Sequence, residues 1–89
     1  MSKILIIEDD AAIAELEKDY LELSDFEVAI ESDGSSGAAH AVDEDFDLIL
    51  LDLMLPGMDG VTAIRQIRQT DGLQELPIML LTAKEKELD

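Results

Sequence analysis

Residues 48–60 read Leu48-Ile-Leu-Leu-Asp52, then Leu53-Met-Leu-Pro-Gly-Met-Asp-Gly60. Four apolar residues in a row predict a strand covered on both faces, as in a parallel sheet between helices. The run ends in a carboxylate, Asp52. Pro56, Gly57 and Gly60 follow closely, so the strand must stop and a loop begin. Open α/β sheets place their sites at the carboxyl ends of such strands. The plainer alternative is that Asp52 only caps the loop with a side-chain hydrogen bond.

Upstream, Ile4-Leu-Ile-Ile7 is a second apolar run, followed at once by Glu8-Asp9-Asp10. It predicts a strand over about 3–8. Ile13, Leu16, Tyr20 and Leu23 then share one face of a helix, with Asp10 as its N-cap and Ser24-Asp25 as its closing turn. Phe26–Ile30 predicts a short edge strand. Ser32-Asp-Gly34 breaks the pattern, and Ser35 or Ser36 starts a weak helix running to Val42. Gly37 inside it costs roughly 1 kcal/mol against Ala. Phe46 anchors the return to the central strand, 47–52. A third helix over 60–70 puts Val61, Ile64 and Ile67 toward the sheet, and Thr70-Asp-Gly72 closes it. Pro77–Leu81 predicts a fourth strand, with Pro in the first position, where it is tolerated. Strands alternating with helices give a doubly wound α/β fold with a parallel sheet.

The 89 residues suffice for one small domain with an aliphatic core, being 47% apolar and only 3% aromatic. No Cys is present, so thiolate metal sites, thiol nucleophiles and disulfides are excluded. The net charge of −16 disfavours direct binding to nucleic acid or to anionic membranes and favours cations. Nothing resembles a signal peptide or a membrane span, so a cytoplasmic protein is expected.

Three strand ends deliver polar groups to one edge of this sheet: Glu8-Asp9-Asp10, Asp52 and Thr82. Carboxylates set side by side need a neutralising partner. Oxygen-only ligands point to Mg2+, with Mn2+ or Ca2+ as substitutes. Mg2+ works best with a phosphate, so Asp52 can serve as nucleophile toward a phosphoryl group and Thr82 as hydroxyl donor to it. His40 lies away from this edge and reads as a surface or core residue. Neither phosphate-binding glycine motif is present, nor a Ser-His-Asp arrangement.

The stretches ILIIEDD (4–10), DLILLDLMLPGMDG (47–60) and PIMLLTA (77–83) together resemble a bacterial response-regulator receiver domain of the chemotaxis-regulator type. The resemblance implies a flavodoxin-like fold with Asp52 as phosphoacceptor. Asp9 would be a direct Mg2+ ligand, Glu8 an acid holding a metal-bound water, and the backbone carbonyl of Met54 a further ligand. Thr82 would be the switch hydroxyl and Ala83 its small neighbour, with Pro56, Gly57, Asp59 and Gly60 shaping the loop. A sensor histidine kinase, a phosphotransfer protein or a small phosphodonor would supply the phosphoryl group. The domain would catalyse nothing beyond its own phosphorylation.

The family fold continues to a fifth strand carrying a Lys and a switch aromatic, and to further helices. The sequence stops after the fourth strand, and neither Lys84 nor Lys86 takes that Lys role. Residues 1–89 therefore read as the N-terminal portion of a receiver. Only the first helix is available for one sheet face, so part of that face and the edge of the fourth strand would be exposed, which predicts self-association or domain swapping. A receiver relic acting only through protein contacts is the alternative. A haloacid-dehalogenase-type phosphatase is disfavoured, because Met54 stands where its second Asp belongs.

Overall fold

The computed structural model describes residues 2–52, 58–70 and 72–80, with backbone alone at 52, 58–62 and 80. The elements are β1 (Lys3–Glu8), α1 (Ala11–Leu23), β2 (Glu27–Glu31), α2 (Gly34–Asp43), β3 (Leu48–Asp52), α3 (Met58–Arg68) and β4 (Ile78–Leu80). All strand pairs are parallel, and the sheet order is β2-β1-β3-β4. This is the doubly wound, flavodoxin-like arrangement, with β2 at one edge as expected.

The two apolar runs become the central strands because helices cover both faces. Leu5, Ile7, Ile49 and Leu51 lie in a core with Ala38 and Ala41 of α2, Ala63 and Ile67 of α3, Phe46 and Leu76. On the opposite face Ile4, Ile6 and Leu50 pack with Ala14 of α1, joined by Leu21, Phe26, Val28, Ile30 and Leu48. Phe46 is buried where the chain returns to the sheet, as expected.

α1 forms where its periodicity and its N-cap Asp10 predict, but with a different face inward. Ala14 is buried, and Leu21 packs half-buried against the sheet. Ile13, Leu16, Tyr20 and Leu23 are exposed, Leu23 at 83%. The small Ala14 lets the helix approach the strands closely, and the bulkier stripe is turned aside. The helix ends in a Schellman motif. Phe26 N–H donates to Leu21 O at 3.2 Å, and Asp25 N–H to Glu22 O at 3.0 Å.

α2 starts earlier than the serines suggested. Asp33 is its N-cap and accepts from Ser36 N–H at 2.8 Å. Gly37 costs helix propensity and returns packing. A β-carbon there would fall on Ile7 Cδ1 and lie 2.6 Å from Cγ1, so glycine is what lets α2 seat on β1. α3 also begins two residues early, and it buries Ala63 and Ile67, with Ile64 half-buried. Arg68 fastens the connection to β4. Its Nη1 donates to the carbonyls of Leu73, Gln74 and Leu76 at 3.2, 3.0 and 2.6 Å. β4 starts one residue later than expected, and Leu81 lies outside the described residues. Pro77 stays just outside it and accepts from Ile49 N–H at 3.0 Å.

Candidate functional site

The register of β1 against β3 pairs Ile4 with Leu48 and runs in step to its last pair, Glu8 with Asp52. Two carboxylate-bearing residues therefore end adjacent strands at the same level, on backbones about 4.8 Å apart. The sequence predicts two acids on one edge. The register makes them direct neighbours.

The structure gives Glu8, Asp9 and Asp10 three different situations. Glu8 is the last strand residue and is 1% exposed. Its Oε2 accepts from Asp10 N–H at 2.9 Å. A carboxylate buried this far must have compensation for its lost hydration, and that N–H supplies part of it. Asp9 lies just beyond the strand and faces solvent. Asp10 is committed to α1: its Oδ1 accepts from Ala12 N–H at 2.9 Å and Ile13 N–H at 3.2 Å. Fixing the first turn in this way fixes the β1–α1 turn that carries Asp9.

Of the residues predicted for the site, Glu8, Asp9 and the backbone of Asp52 are brought together. Met54, Thr82, Ala83, Pro56 and Gly57 lie outside the described residues, as does the side chain of Asp59. Among the described residues no group of three or more His, Asp or Glu side chains forms a complete metal cage. The available donor set is anionic and oxygen-only, which suits a hard divalent cation such as Mg2+ and not a softer metal.

His40 is not part of this edge. It sits between Glu31 and Glu44 against Phe46, partly shielded from solvent. The His40–Glu44 half of this cluster has a sequence signal, an i,i+4 pair at a helix end. Glu31, nine residues upstream on another element, has none.

The family model described as "Response regulator receiver domain" matches residues 4–89. The response regulator ArlR of Staphylococcus saprophyticus is 45% identical over 89 residues, all of this chain and 39% of that protein. The transcriptional regulatory protein CpxR of Escherichia coli K12 is 38% identical over the same length, 37% of that protein. The chain thus spans under two fifths of these relatives. Among solved structures, the receiver domain of a sensor histidine kinase from Pseudomonas aeruginosa PAO1, with a magnesium ion coordinated in its active-site cleft, superposes with TM-score 0.87. It is 31% identical, over 99% of this chain and 72% of that one. The response regulator TrrA of Thermotoga maritima, in complex with Mg2+ and BeF, gives TM-score 0.82 at 28% identity, over 99% of this chain and 77% of that one.

Proposed function

The chain belongs to the response regulator receiver domain family, and on that premise we propose that it is a switch module phosphorylated on Asp52. The observation that carries this reading is the Glu8–Asp52 register pair closing two buried strands, with Asp9 exposed beside it. In the transfer, the bond from phosphorus to the donor's imidazole nitrogen or acyl oxygen breaks. A bond from phosphorus to an Asp52 carboxylate oxygen forms, and the donor leaves with the electron pair.

Asp9, Asp52 and the carbonyl of Met54 would hold Mg2+, and buried Glu8 would hold a metal-bound water. The ion, when bound, offsets the charge that otherwise opposes attack by an anionic carboxylate on an anionic phosphoryl group. Mn2+ would substitute as another oxygen-preferring cation. Thr82 would donate its hydroxyl to a phosphoryl oxygen. The chain accelerates only its own phosphorylation. Its partner would be a sensor histidine kinase or phosphotransfer protein, which puts it in the cytoplasm. DNA binding, named for a relative such as the RpaA regulator of Synechocystis, would belong to another part of that protein, since a chain of net charge −16 repels a phosphate backbone.

Intact-mass measurement after incubation with Mg2+ and an acyl phosphate tests this. One added phosphoryl group is expected, dependent on Mg2+ and absent from Asp52→Asn. Incorporation that survives in that variant would reject Asp52 as the acceptor.

A second observation favours self-association. Tyr20, Leu21, Leu48, Leu50 and Met79 line an apolar groove between α1 and the sheet. Leu16 and Leu23 are exposed on the same helix. Exposed apolar surface that is contiguous in this way marks interaction sites. We expect a second copy, or exchanged elements of one, to cover it. A concentration series in light scattering should show mass rising above the monomer, and a monomer at every concentration rejects this reading.

A further inference from the structure

Away from the acid edge, four side chains from separate parts of the chain form a line of alternating charge. His40 Nδ1 lies 2.8 Å from Glu31 Oε2, and its Nε2 lies 2.6 Å from Glu44 Oε1. The other oxygen of Glu44 is 3.5 Å from Lys3 Nζ. The imidazole meets Phe46 edge-on, with centroids 5.3 Å apart and planes at 76°, and Lys3 Nζ stands 5.6 Å over the same ring. Glu31 ends β2, His40 lies in the last turns of α2, Glu44 follows α2, and Lys3 opens β1. Asp43 also lines the shallow cavity beside His40 and Glu31, and it is solvent-exposed.

A neutral imidazole has one N–H and one lone pair, whereas an imidazolium has two N–H donors. Here each ring nitrogen faces a carboxylate oxygen at hydrogen-bond distance. A neutral ring would set a lone pair against one of the two carboxylates, and only the imidazolium satisfies both. The two carboxylates lie on opposite sides of the ring, so they cannot share a metal ion with it.

We propose that His40 is a pH-operated latch: as imidazolium it ties the β2 edge and the C-terminal end of α2 into one unit, linked through Glu44 to the start of β1, and on losing its proton it lets them loosen. Among the described residues β2 hydrogen-bonds to β1 alone, so the tie adds a second fastening to this edge strand.

Two opposing influences act on His40. Burial, the largest single one, lowers its pKa, and the hydrogen bonds and charges of Glu44 and Glu31 together outweigh it, leaving His40 above its ordinary 6.5. Its proton is therefore bound more tightly in the folded chain than in the unfolded one. That contribution to stability is complete below pH 6.5 and is lost as pH rises through the raised value. The hydrogen bond from His40, helped by Lys3, holds Glu44 below its ordinary 4.5. Its share is complete above that value and is lost as pH falls through the lowered one. The latch is thus fully closed between about pH 4.5 and 6.5 and opens on the alkaline side.

His40 is the sole histidine in the sequence, so one imidazole proton resonance followed against pH reads the latch in the intact chain. The expected midpoint lies above 6.5. Glu31→Gln and Glu44→Gln should each lower it, and the double variant should bring it to 6.5 or below, where burial acts alone. Amide exchange over residues 41–44, corrected for the intrinsic base-catalysed rate, should quicken above the midpoint and lose that step in His40→Gln. A wild-type midpoint at or below 6.5 overturns the proposal. So does a midpoint that both carboxylate variants leave unmoved, or an exchange profile without a step. The phosphorylation experiment probes Asp52 and leaves this cluster untouched, so failure of one reading does not carry the other with it.

Discussion

On one face of the sheet, Leu5, Ile7, Ile49 and Leu51 lie under two helices, α2 and α3. On the other, among the described residues, Ile4, Ile6, Leu48 and Leu50 face α1 alone. The same two strands supply both faces, and they are equally apolar on each. What differs is the helix surface laid against them. α2 buries Gly34, Gly37, Ala38 and Ala41, with Gly37 lying directly on Ile7 of β1 and Ala38 and Ala41 sharing the core with Ala63 and Ile67 of α3. α1 meets it with Ala14 and Leu21 and leaves Leu16, Tyr20 and Leu23 outside, with Met79 of β4 exposed nearby. The apolar pattern of a strand states a demand for cover, and the number of helices over each face decides whether that demand is met.

The largest effect expected from this contrast is a mismatch between two truncations. Ile49→Ala opens a cavity under α2 and α3, where Ile49 is fully buried. It should cost about 2–5 kcal/mol. Leu23→Ala removes a hydrophobe of the same size that is itself 83% exposed, and should change stability by no more than about 0.5 kcal/mol. Urea denaturation of both variants at low protein concentration makes the comparison. Comparable losses would mean that the α1 face is as well covered in solution as its opposite, and the contrast would fall.

Much of this architecture is legible in the sequence because parallel strands buried on both faces leave an unbroken apolar signature. Ile4–Ile7 and Leu48–Leu51 carry it, and the order of helices between them leaves few topologies. The acid edge follows, because Glu8 and Asp52 each end such a run. Their direct register pairing does not follow, since register is set by the whole strand pair. The inward face of α1 was hidden for a different reason. Side-chain size favours the Ile13–Leu23 stripe, whereas close helix approach favours Ala14. Asp33 caps α2 although the serines beside it have nearly equal capping preference, so the sequence alone does not single it out. Gly37 reads as a weakness until Ile7 is seen against it.

The smallest effect sharpens the thinly covered side. The end of α1 is held by the Leu21–Phe26 contact and its closing turn, while Leu23 beside them is exposed. Asp25 takes the left-handed conformation there, at φ 71°. That position is strained for any residue with a β-carbon and free of strain for glycine. The backbone bonds of the Schellman motif run from Phe26 and Asp25 to Leu21 and Glu22, and the Leu21–Phe26 pair packs against the Ile4–Ile6 cluster. Asp25→Gly keeps every one of those bonds while removing the strain. The greater freedom of glycine in the unfolded chain returns part of the gain. A net stabilisation of about 0.5–1 kcal/mol is expected, read as a higher urea midpoint with an unchanged slope. A lower midpoint would mean that the Asp25 carboxylate contributes more to the turn than its backbone costs. The end of α1 would then be secured by a side chain, and the thin face would be better fastened than its packing suggests.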